Sequence, residues 1–326
     1  TGIVGDRYPG KFVALLIIES IAALVVAISN AVVIVVYLYG WKRLMKNNFY
    51  VVVSNLIVFT SLKCIIELGF IVPYYVLRNE EEKPVSLSIA EYELIIFNLS
   101  VLADYGVLFF SALIAVNRYL TVAISTSNKP QRMPTVVSCV FTWLCSGAIP
   151  LLYFVCECKY DYSFYLKLYY NRCEKSTPFL EIVLKCLIYL TYACTVAVLA
   201  LYLLIFIFLR RKQRANLNRE NLGTSRHAFL QMRLLRQSVV VFTLYTGSML
   251  CVFLLTHVSI GAGKLFEVAY AENLLNLSIA AVYPICFLVM SGEMKSVLIS
   301  RFITSRSSAV ASVSPHPNRS SNNGAN

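Results

Sequence analysis

The stretch FVALLIIESIAALVVAISNAVVIVVYLY, residues 12–39, carries a single charged side chain, Glu19. A helix needs roughly 20 predominantly apolar residues to cross the hydrocarbon core of a bilayer. This run exceeds that length, and a soluble helix of such composition would have no polar face to offer water. Six further apolar stretches follow, at 49–77, 94–124, 136–155, 182–209, 239–260 and 274–290, each set off by polar connectors. The third and fifth are longer than a span requires, so they should tilt or project beyond the membrane. The last is the shortest and contains Pro284. The pattern predicts an all-α membrane protein: a seven-transmembrane helix bundle.

Composition agrees. Of 326 residues, 58% are hydrophobic and 14% charged, where a soluble domain carries roughly 25% charged residues. The first eleven residues, TGIVGDRYPGK, are polar and glycine-rich, so no secretory signal is expected there.

Orientation follows from the Lys/Arg bias of the loops. Segments 40–48, 125–135, 210–238 and 291–326 hold 17 Lys/Arg and only two acids, Glu220 and Glu293. The segments on the opposite side hold nine Lys/Arg and twelve acids. The N-terminus is therefore expected outside and the C-terminus in the cytoplasm. The net charge of +12 gathers on one membrane face, where anionic lipid and a signalling partner would meet it. Nucleic acid is not an expected partner.

Beyond the bundle at 12–290, an extracellular segment 1–11 is expected, together with a short amphipathic helix at 291–303. In GEMKSVLISRFI, Met294, Val297, Leu298 and Phe302 share one helical face while Lys295 and Arg301 lie off it. That pattern suits a helix lying on the inner leaflet. The tail 304–326, rich in Ser, Asn and Pro, is expected to be disordered.

Four local motifs stand in the corresponding spans. Asn30 lies in the middle of the first, and the third ends in SALIAVNRYLTV with Asn117-Arg118-Tyr119. The fourth carries Trp143 and Pro150, and the seventh carries YPICF with Tyr283, Pro284 and Phe287. In type and order they resemble the midspan asparagine, the Asp/Glu-Arg-Tyr triplet, the central tryptophan and the Asn-Pro-x-x-Tyr segment of rhodopsin-like G-protein-coupled receptors. There are departures. Thr60 replaces the usual sodium-binding aspartate of the second span, FTLYTGSML replaces Cys-Trp-x-Pro in the sixth, and the third has no cysteine at its outer end. The phrases FYVVVSNLIV, LIAVNRYLTV, CKYDYSFYLKLYYNRC and LLRQSVVVF are similar to nematode chemosensory receptors of the SRX type.

The resemblance implies a chemosensory receptor in the plasma membrane, including that of a sensory cilium. It would bind an extracellular small molecule or peptide, activate a heterotrimeric G-protein and be shut off by arrestin at the tail serines. Arg118 would meet the G-protein once the sixth helix moves away. Its resting partner is not an acid, because the nearby cytoplasmic end of the sixth span offers Arg226, Arg233 and Arg236 but no carboxylate. A hydrogen bond to Gln231 or Gln237 is what remains. The C-x-Tyr-Asp…C pattern favours a Cys158–Cys173 disulfide closing a Tyr-rich hairpin lid; by count alone Cys156 competes for the same partner.

Intramembrane charges mark the ligand pocket, because they are costly unless they face partners or water. Asp104 lies fourteen residues before Arg118, near the same helical face and roughly 20 Å above it. Lys63 and Glu67 are four apart and able to pair, and Lys185 stands at the outer end of the fifth span. Asp104 either contacts ligand or pairs with Lys63 as structural glue. Tyr189, Tyr192 and Tyr245 could line the same pocket, although aromatic residues in spans more often serve packing. No metal-ligand spacing and no nucleophile constellation is present, so neither cofactor nor catalysis is expected. The competing reading is a transporter using Glu19, Lys63, Glu67 and Asp104 as a relay, without the internal repeats such carriers usually show.

Overall fold

The computed structural model describes residues 9–73, 87–123, 132–163, 168–173, 178–217 and 262–300, with residues 240, 243–248, 250–251 and 253–254 between the last two segments. Helix α1 spans Pro9–Leu44, and α2 spans Asn48–Ile66 and runs on through a π turn, Glu67–Ile71. Helix α3 covers Leu87–Ala123 and α4 covers Arg132–Val155. A hairpin of β1, Cys158–Ser163, and β2, Leu168–Cys173, precedes α5, Pro178–Leu217. The helical residues 243–248 mark α6, α7 runs Ala262–Met290, and residues 292–300 form α8.

Among the described residues, α1 to α5 and α7 are long and apolar enough to cross a membrane. The expected span at 239–260 is described only in part, and its described residues are helical. Large apolar side chains such as Leu38, Phe141, Leu144 and Leu151 point outward, each more than 60% exposed. In water such a surface would drive association; lipid solvates it.

The helix ends have local causes. The side chain of Asn47, in an extended conformation, accepts the Phe49 N–H at 3.1 Å and starts α2. Ser291 does the same for α8, its Oγ accepting the Met294 N–H at 3.1 Å. At the outer end of α4 the chain reverses through Glu157, whose φ of 51° is left-handed, and enters β1. Hydroxyls inside the spans bond to their own helix: Ser146 donates to the Thr142 carbonyl at 2.8 Å and Thr195 to that of Thr191 at 2.9 Å. No polar atom of theirs then faces lipid.

Several helices extend beyond the expected stretches, α1 from Pro9 to Leu44 and α4 from Arg132 among them. Helix α7 begins at Ala262, twelve residues before 274, because GKLFEVAYAEN is helical although its charges depress its hydropathy. Helix α3 starts at Leu87 rather than 94, and α5 continues to Leu217 rather than 209. The apolar face of α8 is covered by protein: Met294 is 1% exposed and Val297 packs against Gly40 of α1. Phe302, the tail and residues 1–8 lie outside the described residues.

Helix α3 is the axis of the bundle, packing on α2, α4, α5 and β1, while α1 packs on α2 and α7. Phe59 and Phe110 meet at the α2–α3 contact with ring centroids 5.4 Å apart. Trp143 of α4 closes on Phe59 at 4.3 Å and donates its indole N–H to Asn55 at 2.8 Å. The approach depends on Gly106, where a Cβ would lie 2.1 Å from the Phe59 ring. We expect Gly106→Ala to destabilise the purified protein by about 1–3 kcal/mol through overpacking, with Phe59→Leu in the same chain restoring most of the melting temperature. An unchanged melting temperature in Gly106→Ala would contradict this packing.

Candidate functional site

Polar side chains of α1, α2, α3 and α7 converge in the outer half of the bundle. Lys63, 4% exposed, sends its ammonium across to the carboxylate of Asp104 on α3, forming an ion pair. The lysine side is buried, whereas the Asp104 side chain is 44% exposed. Of the two sequence readings of Asp104, the pairing is therefore present, and the acid still opens onto accessible space.

Glu67 begins the π turn, where the Val72 N–H reaches back to the Glu67 carbonyl. Its carboxylate lies within the field of Lys63 and within hydrogen-bonding reach of Asn273 and Glu19. Glu19 of α1, 1% exposed, accepts a hydrogen bond from the Asn273 amide of α7. Glu272, beside it, lies in the field of Asp104 and Lys63 and accepts from Asn276 at 3.2 Å. Asn276 in turn accepts from Ser248 of α6 at 2.8 Å. A polar chain thus runs from α3 through α2, α1 and α7 to α6.

Glu272, Asn273, Asn276 and Ser248 were not among the sequence candidates. Beginning the seventh span at Leu274 left Glu272 and Asn273 in an outer loop. The signal for them was the i, i+4 spacing of Glu272 and Asn276 on a continuous helix.

Three expected pocket residues are not brought to this cluster. Thr191 of α5 faces α3, its hydroxyl 3.3 Å from that of Tyr105. At 100° per residue, Tyr189 and Lys185 point well away from that face; both are exposed, Tyr189 by 60%. Tyr245 is buried deeper in the bundle, where its hydroxyl, with those of Tyr202 and Tyr283, gathers around Ser111.

Below this tyrosine group lies Arg118. Its guanidinium stacks 3.7 Å above the ring of Phe49, the second residue of α2, with Tyr50 and Tyr202 nearby. Gln231 and Gln237, its expected partners, lie outside the described residues. Phe49 also meets Phe287 edge-on at 5.8 Å, and Phe287 lies 6.1 Å from Tyr283. Tyr50 shares a 2.6 Å hydrogen bond with Ser291 at the start of α8. The Asn117-Arg118-Tyr119 and Tyr283-Pro284-x-x-Phe287 segments are thereby joined through one ring. Tyr119 packs on the same core. Asn30 accepts from Thr60 at 3.0 Å, tying α1 to α2.

The hairpin covers the outer end of α3. Cys158 is disulfide-bonded and stands opposite Cys173 in the antiparallel register. Cys156 is a buried free thiol that packs with Cys158 on Phe97. An apolar contact holds the hairpin to α3, where the sequence offers no cysteine for a covalent one.

This architecture is that of a seven-helix receptor. It is similar to the crystal structure of squid rhodopsin, with a TM-score of 0.67 and 12% identity over 94% of this chain and 88% of that one; at such identity the likeness is one of fold. Residues 23–272 match the family described as serpentine type 7TM GPCR chemoreceptor Srx, and the chain belongs to that family. No curated protein matches it.

Lys63 is the one intramembrane cation of the outer cluster among the described residues, and it serves several carboxylates. Removing it is expected to cost about 3–5 kcal/mol, as breaking a buried pair does. Asp104→Asn should cost clearly less, because Lys63 keeps Glu67 in range. Melting temperatures of purified Lys63→Met and Asp104→Asn variants check this; the reverse order would contradict the charge arrangement.

Proposed function

We propose that this chain is a ligand-activated chemosensory receptor. It takes an extracellular small molecule or peptide in the cluster around Lys63, Asp104, Glu67 and Glu272, and it activates a heterotrimeric G-protein at Arg118. The observation carrying this reading is the layout of α3. Asp104 near the outside and Arg118 near the cytoplasm stand on one helix about 21 Å apart, at 1.5 Å per residue, with the Ser111–Tyr202–Tyr245–Tyr283 group between them. Ligand contact at the outer cluster alters the α7–α6 link through Asn276 and Ser248. The inner ends then part and expose Arg118.

The receptor sits in the plasma membrane, sensory cilium included, with its N-terminus outside, and it performs no catalysis. A Cys158–Cys173 disulfide closes the hairpin lid over the pocket, and the serines from Ser305 to Ser321 receive phosphate for arrestin. Helix α8 rests at the inner membrane surface.

The test is G-protein activation in cells expressing wild type and Arg118→Ala at matched surface levels. Arg118→Ala is expected to abolish basal and stimulated activation. Equal behaviour of the two across several G-protein classes would favour transport through the intramembrane charges. A second variant reports on the resting state. Phe49→Leu removes a cation–π contact worth about 1–2 kcal/mol when desolvated, so basal activation is expected to rise roughly five- to thirty-fold. Unchanged basal activation would show that Phe49 does not restrain Arg118.

A further inference from the structure

Counting charges in the outer cluster leads beyond the general receptor reading, on which this inference rests. Four carboxyl groups, Glu19, Glu67, Asp104 and Glu272, come from α1, α2, α3 and α7. Among the described residues they surround one ammonium group, that of Lys63, which is engaged by Asp104. Glu67 and Glu272 lie in the fields of both Lys63 and Asp104, and Glu19 in those of Lys63 and Glu67, so the groups form one electrostatic unit. Ser248, the α6 contribution, is uncharged. The cluster therefore holds more carboxyl groups than cations among the described residues.

A second observation is independent of the count. Glu19 and Glu67 are 1% and 2% exposed, and among the described residues Oε2 of each finds no donor other than the neighbouring carboxyl group. Asn273 engages the other oxygen of Glu19. Buried carboxylate oxygens without donors are costly. In the same unit the Asp104 side chain is 44% exposed. The unit thus combines a partly exposed acid, more carboxyl groups than cations and buried acceptors.

We infer that the pocket selects a small organic cation, a protonated amine or a guanidinium. Its N–H groups satisfy the buried Oε2 acceptors of Glu19 and Glu67, and its charge complements the acid-rich cluster. A carboxylate ligand would instead add a fifth acid and have to displace Asp104 from Lys63. Binding at Glu272 also reaches the activation route directly, because the Asn276 amide that donates to Glu272 is the one held by Ser248 of α6.

The experiment uses the full-length receptor in nanodiscs at fixed salt. Thermal melts are recorded with millimolar ammonium, carboxylate and alcohol compounds built on matched straight-chain and benzylic skeletons of roughly three to eight carbons, the lengths a pocket between helices about 10 Å apart admits. The ammonium members, and they alone, are expected to raise the melting temperature. In Glu272→Gln and Glu67→Gln the half-saturating concentration should rise at least about tenfold, the factor that 1.4 kcal/mol carries. Stabilisation by the carboxylates, equal stabilisation by all three classes, no stabilisation by any, or an ammonium effect that survives both substitutions overturns the proposal. Arg118-dependent basal G-protein activation is measured on the same preparations. If it persists while the ammonium effect is missing, the cation reading alone falls; if it is absent, the receptor reading falls with it.

Discussion

The ammonium group of Lys63 sets the terms for the outer half of this bundle. In a medium that solvates ions poorly, a buried charge must find its partner within the protein. Lys63 finds Asp104 on the next helix, and the α2–α3 contact cannot be rearranged without separating them. The widened turn beginning at Glu67 carries the one acid of α2 toward α1 and α7. One helix therefore serves three neighbours, its cation meeting α3 and its carboxylate α1 and α7. The Glu19–Asn273 bond completes the circuit to α7. Four helices are held in register by groups that none of them could bury alone.

The inner half is built on different physics. Buried tyrosine hydroxyls from α5, α6 and α7 replace ions around Ser111. Below them a ring face, not a carboxylate, receives Arg118. The partners offered by the bundle change in steps from the outer surface inward: charged groups, then hydroxyls, then an aromatic face. The link from α7 to α6 through Asn276 and Ser248 stands in a helix whose sequence lacks the Cys-Trp-x-Pro segment. Among the described residues a hydrogen bond between small polar side chains joins these two helices.

Much of this was legible in the sequence, for physical reasons. Apolar runs such as 12–39 must span, and Arg118 could be placed because motif and depth agree. Lys63 and Asp104 declared themselves by being charged where charge is costly. Other features were hidden. The start of α7 was obscured because Lys264, Glu267 and Glu272 lower hydropathy while being good helix formers, so a hydropathy reading began the span too late. Lys185 and Tyr189 were assigned inward by depth alone, while their rotation about α5 depends on packing that hydropathy does not report. Phe49 looked like one more apolar residue at a helix start; that it carries Arg118 follows only from where α2 meets α3. Between Cys156 and Cys158 the count was neutral, and strand register separated them.

The meeting of Gly106 with the Phe59 ring has a consequence for how such a sequence can drift. With no room for even one methyl group between them, position 106 cannot change first. Any larger residue there must follow, in descent, a prior reduction of Phe59. Such a reduction would loosen Trp143, which packs on the same ring. Lineages that diverge at this contact should therefore carry paired changes at 59 and 106, made in that order, with position 143 released from its aromatic character afterwards. The tightest point of the bundle thus gives its history a direction.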